Sequence, residues 1–217
     1  MSMIFHQTKK CAVCGKDSKY PVLASTNAFG ACDLDLRPPD MKRSTMSTWV
    51  EDCYYCGYVS HDITKLPDGA TDKNEVDDFI CRIDYIFAEK RGFESELAVK
   101  LYKHYMLNKG FGNNRKAFNS LLWTAWACDD ADDKDNAVYC RELAAEYLDI
   151  LISENPGDKN LIVQKADILR RSGHFDTVIK EYEGKALGNE LLDKIIAFQI
   201  EKAKLGDDAC YTVADVE

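Results

Sequence analysis

Four cysteines near the start of the chain have the type and spacing of metal ligands. Cys11 and Cys14 belong to one C-x-x-C-G turn, and Cys53 and Cys56 belong to a second. Thiolates in two such turns form a ligand set that suits a tetrahedral Zn²⁺ ion. The glycine after each second cysteine permits a positive φ angle, so each turn can fold back toward its sulfurs. The sequence therefore predicts one structural zinc ion per chain, bound by these four cysteines.

Iron is the main alternative to zinc, because rubredoxin also holds its iron with two C-x-x-C-G turns. A thioredoxin-like redox motif would need a βαβ context that the flanking sequence does not provide. Paired disulfides would suit a secreted protein, but the first ten residues contain no long apolar run. His6 and His61 flank the two turns, and we treat them as bystanders because four thiols already suffice.

The composition is that of a globular chain. Its 217 residues are 46% hydrophobic and 30% charged, enough for one large domain or two modest ones. The sequence contains no apolar run near the ~20 residues of a membrane span. With no secretory or lipidation motif, we expect a cytoplasmic protein with no membrane partner.

Charge is distributed unevenly along the chain. The formal net charge is −9, yet residues 1–65 hold eight Lys and Arg against seven Asp and Glu. Residues 66–217 carry the remaining excess of acidic side chains, a net charge near −10. An acidic body without a basic stripe disfavours binding to nucleic acid. We therefore do not expect a nucleic-acid partner.

Short strands next to the two turns are typical of a zinc ribbon. Strands are predicted around residues 20–23, 48–52 and 58–60, and residues 1–10 are interpreted as a short lead-in. A linker is predicted at residues 66–69, because the sequence Leu66-Pro67-Asp68-Gly69 is typical of a turn. We thus expect a zinc-ribbon or rubredoxin-like domain over residues 1–65.

After the linker the apolar period becomes 3.6 residues, which predicts about seven amphipathic helices. The first is expected to run from a capping box at Asp72 and Glu75 through Phe87 to Gly92. Residues 207–217 are expected to form a frayed tail. The apolar stripes of the seven helices include Phe79, Leu101, Leu121, Leu148, Leu169, Ile179 and Ile195.

The helices with their short turns must stack as antiparallel pairs to bury their apolar faces. Residues 160–187 resemble a tetratricopeptide (TPR) repeat, whereas the earlier pairs match its spacing poorly. The positions that match are Ala166, Leu169, Gly173, Phe175, Val178 and Tyr182. The expected fold class is therefore α+β and mostly α, with a TPR-like all-α domain over residues 72–217.

The whole chain resembles a family of uncharacterised bacterial proteins, known as a domain of unknown function, that joins paired C-P-x-C-G turns to TPR-like helices. The matching residues are Cys11, Cys14, Gly15, Asp35, Arg37, Pro38, Cys53, Cys56, Gly57 and Tyr58. Ala12 and Tyr54 stand where the family has proline, which removes stiffness but no ligand. The resemblance implies a bacterial cytoplasmic setting and this architecture, and it implies no activity.

Polar residues of both signs crowd the loop between the two turns. Asp35, Arg37 and Arg43 lie close in sequence to Trp49, and together they are a candidate binding surface. The alternative is that Arg37 pairs with a neighbouring carboxylate and orders a long loop that has little core of its own.

The sequence contains no constellation that amounts to an active site. His104 and His174 lie in or beside helices without a nucleophile pattern, and the acidic run at 129–133 lacks the glycine and distal Glu of an EF-hand. We read that run as a solvated loop. The favoured function is a non-enzymatic scaffold that binds a protein or peptide, and the alternative is a rubredoxin-like electron carrier with an Fe(Cys)₄ centre.

Overall fold

A computed structural model describes residues 2–216. This part of the chain is 53% helix and 11% strand, with nine α-helices and two small β-sheets. No helix within it is long and apolar enough to cross a membrane. The mostly helical expectation with a small β part is confirmed.

Two antiparallel hairpins form the β part, and each carries one C-x-x-C turn at its tip. Strand β1 (Met3–Lys10) pairs with β2 (Asp17–Ser25), and β3 (Glu51–Asp52) pairs with β4 (Val59–Ser60). Residues 3–10, for which the sequence predicted only a short lead-in, form a full strand. Three apolar residues followed by five polar ones lack the alternation of a half-buried strand. Strand β2 supplies the backbone partners, in register from Ile4 opposite Leu23 to Lys10 opposite Asp17.

The loop between the hairpins contains helix α1 (Asp40–Arg43) and a single 3₁₀ turn at Met46–Thr48. Where the sequence predicted a strand from residue 48, only Glu51 and Asp52 pair. Trp49 instead packs against Trp123, with 5.3 Å between the ring centroids.

The remaining chain is helical. Each helix from α4 (Glu96–Gly110) to α8 (Phe175–Tyr182) packs against the helix that follows, and α7 (Lys159–Arg171) also packs against α9 (Glu190–Lys204). Short connections of this kind bring the apolar faces of successive helices together. The helices are α2 (Lys73–Ile80), α3 (Ile83–Ile86), α4 (Glu96–Gly110), α5 (Asn114–Asp129), α6 (Lys134–Glu154), α7 (Lys159–Arg171), α8 (Phe175–Tyr182) and α9 (Glu190–Lys204).

The single first helix predicted from Asp72 to Gly92 is broken in the structure. The Asp72 cap is present, but the chain leaves the helix after Ile80, and Arg82 is extended. A straight helix would bury Ile83 on the apolar stripe, whereas Ile83 is 76% exposed. The break instead buries Tyr85, whose hydroxyl donates to the Gly57 carbonyl at 2.9 Å. Contact with the second cysteine turn therefore overrides the local helical pattern.

The C-terminal residues are ordered, so the expectation of a frayed tail was wrong for residues 207–216. The Leu34 amide donates to the Tyr211 carbonyl and the Val213 amide to the Cys32 carbonyl, each at 2.9 Å. The tail therefore pairs with the loop between the hairpins. Cys210 of the tail donates a hydrogen bond to Asp33 of the loop, 177 positions away in the sequence.

One continuous apolar core includes buried side chains of both the ribbon and the helices. Leu34 and Val50 belong to it together with Leu121 and Ile195. The division into residues 1–65 and 72–217 stays a prediction.

Candidate metal centre

The four predicted ligands converge at one point between the hairpin tips. The Sγ atoms of the four cysteines all lie within 4.8 Å of one another. Cys11 and Cys56 are 3.8 Å apart, and Cys14 and Cys53 are 3.6 Å apart, measured between sulfurs. Each hairpin thus contributes two sulfurs to one cluster.

These separations fit a tetrahedral ion. Four sulfurs about 2.3 Å from a central metal lie about 3.8 Å from one another. A disulfide would need about 2.05 Å, and all four cysteines are free. The cluster could therefore hold a metal ion, and its geometry suits zinc and iron alike.

The two turns have the same backbone construction. The Gly15 amide donates to the Cys11 carbonyl at 2.9 Å, and the Gly57 amide donates to the Cys53 carbonyl at 2.8 Å. Gly15 and Gly57 have φ angles of 70° and 73°, in the left-handed region. A Cβ atom at Gly57 would meet nothing within 4 Å. Glycine is thus needed there for its backbone angle and not for lack of space.

The electrostatics of the cluster favour a bound cation. Burial raises the pKa of Cys11 and Cys56, and the neighbouring sulfurs raise both further. The pKa of Cys53 is lowered: burial opposes this, but hydrogen bonds from the amides of Cys56 and Tyr55 and from the other thiols outweigh it. Four thiols in a partly buried site cannot all ionise unless a positive ion offsets the repulsion between the resulting thiolates.

Tyr20 provides a second sign that the residues fit a metal–thiolate centre. Its hydroxyl is buried and makes no hydrogen bond to any described residue. Burial is the largest cause that raises the pKa of Tyr20, and the charges of Cys53 and Cys11 raise it further, so these sulfurs are close. A neutral hydroxyl beside a metal-bound thiolate is a suitable outer donor.

The hairpins are also joined beside the cysteines. Lys9 on β1 binds Glu51 on β3 at 2.6 Å, and the same carboxylate accepts from the Ile63 amide at 2.9 Å. The Ala12 amide donates to the Ile63 carbonyl at 2.9 Å. These contacts hold the two turns in register around the sulfurs.

The candidate binding-surface residues do not share one environment. Asp35 is fully buried, where it accepts from Arg171 at 2.8 Å and from the Trp126 indole at 2.7 Å. The Gln164 side chain donates to its carbonyl at 2.8 Å. Asp35 therefore fastens the loop to α5 and α7.

Arg37 is buried as well, and its guanidinium donates to Asp130 at the end of α5. The expected partner was a carboxylate near Arg37 in sequence, whereas Asp130 is 93 residues away. Arg43 pairs with Asp33 at 2.7 Å, and Trp49 is only partly buried. Of the four residues, Arg43 and Trp49 are partly exposed, whereas Asp35 and Arg37 are buried.

Sequence reasoning missed the helical half of this ionic network. Arg141 and Arg171 both bind Asp129, the latter at 2.8 Å. Burial would raise the pKa of Asp129, but the hydrogen bond and charge of Arg141 outweigh it and the pKa is lowered. The acidic run was thus wrongly read as entirely solvated. Paired arginines after an apolar stripe resemble ordinary surface residues of a last helical turn, so no sequence pattern identified them.

A second buried cluster lies deeper. Arg170 is fully buried and donates to Asp167 at 3.0 Å and to Gln199 at 2.5 Å. It also donates to the carbonyls of Asp207 and Ala209 in the C-terminal tail. This arginine therefore explains why the tail is ordered.

Of the histidines, His104 is buried and held in one tautomer. Ser120 donates its hydroxyl to the Lys116 carbonyl at 2.6 Å, so it accepts from Nδ1 of His104 at 2.8 Å. Burial, and to a lesser extent His61 and Lys116, lowers the pKa of His104 to about 3. The imidazole is therefore neutral in the folded protein at neutral pH.

His104 should make stability depend on pH. In the unfolded chain His104 takes up a proton near pH 6.5, whereas in the folded protein it stays neutral down to about pH 3. The contribution of neutral His104 to the free energy of unfolding is therefore complete above pH 6.5 and decreases as the pH falls below that value. We expect the free energy of unfolding to fall by about 1.4 kcal/mol between about pH 7.5 and about pH 5.5 because of this group. Chemical denaturation of the metal-loaded protein at both pH values measures it. His104→Gln should remove this part of the slope, and an unchanged slope would contradict the assignment.

Comparison with family models, with curated proteins and with solved structures finds no match to this chain.

Proposed function

We propose that this chain is a non-enzymatic zinc-binding scaffold that presents its helices to a protein or peptide partner. In this proposal residues 1–65 form the zinc ribbon and residues 72–217 form a TPR-like helical array. The setting would be the bacterial cytoplasm, where thiols stay reduced and available to the metal.

One observation carries the structural role of the metal. Four protein sulfurs lie within 4.8 Å of one another, a set large enough to supply all four ligands of a tetrahedral ion. A catalytic zinc keeps one position open for water or substrate, whereas a structural zinc is enclosed by four protein ligands. The enclosed arrangement supports an ion that joins two hairpins and does no chemistry itself.

The helical side supports the scaffold role. Helices α7 and α8 meet at Gly173, whose φ angle of 77° allows the tight turn that the repeat pattern requires. His174, beside this turn, contacts Glu142 at 2.8 Å on the surface. Stacked helix pairs of this kind form extended surfaces that suit a protein partner.

The alternative is an iron centre that transfers electrons. Cys14 and Cys56 are only partly buried, which places the site near the surface where a redox partner could approach. The tetrahedron suits Fe(Cys)₄ as well as Zn(Cys)₄. This alternative predicts a red protein in the oxidised state.

Metal analysis of the purified protein decides between these proposals. We expect about one zinc per chain and a colourless protein, because four thiolates converge on one point. Elemental analysis measures both metals, and Cys81→Ser, a change at an exposed cysteine outside the cluster, should retain the metal. Protein without metal would refute the scaffold as proposed, and one iron per chain would establish the alternative.

A further inference from the structure

An apolar groove lies where the loop between the hairpins meets α5. We call it the tryptophan groove, and its volume is about 580 Å³. The residues that matter to the argument are Leu36, Pro38, Lys42, Trp49, Trp123 and Trp126. Grooves of this size and aromatic content are typical of ligand sites.

The three tryptophans form a fixed wall. Trp49 makes T-shaped contacts with Trp123, at 5.3 Å between ring centroids, and with Trp126, at 6.4 Å. The Trp126 indole is held by Asp35 and the Trp49 indole donates to Thr45 at 3.0 Å. The Trp123 indole N–H has no acceptor among residues 2–216. One donor of the wall therefore remains for a ligand.

Leu36 has a backbone conformation that needs explanation. Its φ angle is 71°, in the left-handed region where a leucine is strained, and its side chain is 52% exposed. The residues on either side, Asp35 and Arg37, are both buried in ion pairs with the helices. The buried pairs thus hold a strained turn that presents a large apolar side chain to solvent at the groove. Strain maintained in this way indicates a functional surface.

The charge at the groove favours an acidic ligand. Lys42 lines the groove and makes no ion pair with a described residue. The lining residues include no Asp or Glu, although the chain as a whole has a net charge of −9. An acid-free apolar groove with one unpaired lysine complements a carboxylate on an apolar ligand.

Two exposed apolar residues are sequence neighbours of residues that line the groove. Phe29 follows the lining residue Ala28 and is 80% exposed, and Met41 precedes Lys42 and is also exposed. Isolated exposed apolar residues are ordinary, so the groove itself carries the argument for a contact surface.

We propose that the tryptophan groove binds an extended, proline-containing peptide segment of a partner protein, with an acidic side chain opposite Lys42. Polyproline II segments dock in aromatic-lined grooves, and their carbonyls remain free to accept hydrogen bonds. Proline rings pack against the parts of Trp49 and Trp123 that line the groove, and a peptide carbonyl accepts from the Trp123 indole. This proposal rests on the proposed scaffold function, for which it names the surface and the partner chemistry.

Fluorescence anisotropy with the zinc-loaded full chain tests the groove. The probe is the fluorescein-labelled peptide Glu-Pro-Pro-Leu-Pro-Pro-Glu, and a Gly-Ser peptide of equal charge is its control. We expect saturable binding of the first and none of the second. Leu36→Asn should weaken binding by at least about tenfold, because it removes apolar contact. It should leave the melting temperature unchanged or higher, because asparagine tolerates a positive φ.

A matched variant and a charge reversal complete the experiment. Leu205→Asn changes a leucine that is 69% exposed beyond α9 and should not alter binding. Lys42→Glu should weaken binding of the Glu-ended probe and strengthen binding of a Lys-ended version, more strongly at low salt. Wild-type protein that does not bind the probe, or Leu36→Asn that binds it normally, overturns the groove assignment. One zinc per chain in the same protein would leave the scaffold proposal standing, so the two failures can be told apart.

Discussion

Replacing Cys53 with serine is expected to unfold both hairpins while the helices persist. Cys53 is buried and its sulfur is one of two that the second hairpin contributes. Structural zinc contributes about 10–16 kcal/mol to small zinc modules, and the hairpins alone contain few large apolar groups to replace it. We therefore expect the proposed zinc ion to decide whether the two hairpins fold.

Limited trypsin digestion with mass spectrometry can locate the unfolding. In Cys53→Ser, and in wild-type protein treated with a chelator, cleavage should appear at Lys10, Lys16 and Lys19 of the first hairpin. Helices within residues 75–206 should stay protected. Arg37 should also stay protected at first, because its side chain is buried against the end of α5. The buried ion pairs of the loop and the proposed metal are thus expected to hold different parts of the same region.

Cys81→Ser provides the matched control, since Cys81 is exposed and outside the cluster. Its digestion pattern should equal that of the wild type. Equal resistance of Cys53→Ser and wild type would show that the metal is not structural. Loss of a measurable electron transfer without unfolding would then favour the iron centre.

Local features of the sequence predicted much of the fold. The four cysteines are identified by spacing alone, because the turn chemistry is contained within six residues. Six of the seven predicted helices lie where the apolar period placed them. Each of them ends at or just before a glycine, a proline or an acidic run. The helix predicted over residues 72–92 failed because burying Tyr85 against Gly57 needed a break that no local pattern shows.

The features that could not be predicted depend on partners far apart in the chain. Asp35 meets Arg171 across 136 residues, and Arg170 meets the tail across 37 to 39 residues. Sequence patterns show that a residue is charged but not whether it is buried, and burial decides what a charge contributes. For this reason the candidate surface combined residues with different roles. Asp35 and Arg37 join the loop to the helices through buried ion pairs. Arg43 pairs with Asp33, and Trp49 lines the groove.

Asp35→Ala is expected to cost about 3–5 kcal/mol of the free energy of unfolding, the usual effect of removing one partner of a buried ion pair. The change leaves the Arg171 guanidinium with Asp129 alone and leaves the Trp126 indole without its acceptor. Arg171 is held charged in the folded protein, since its pKa is raised by Asp35 first and then by Asp129 and Asp167, although burial opposes this. It cannot relieve the loss by giving up a proton.

Equilibrium urea denaturation of the zinc-loaded protein measures this cost, with Asp149→Ala as the control. Asp149 binds Lys165 at 2.7 Å but is 64% exposed, so that variant should lose no more than about 1 kcal/mol. Asp35→Asn should fall between the two, because its amide oxygen can still accept from Trp126 while the charge is lost. If Asp35→Ala is no less stable than Asp149→Ala, the ion pair does not fasten the loop to the helices. Leu36 would then have no rigid support, and the structural basis of the groove would fail with it.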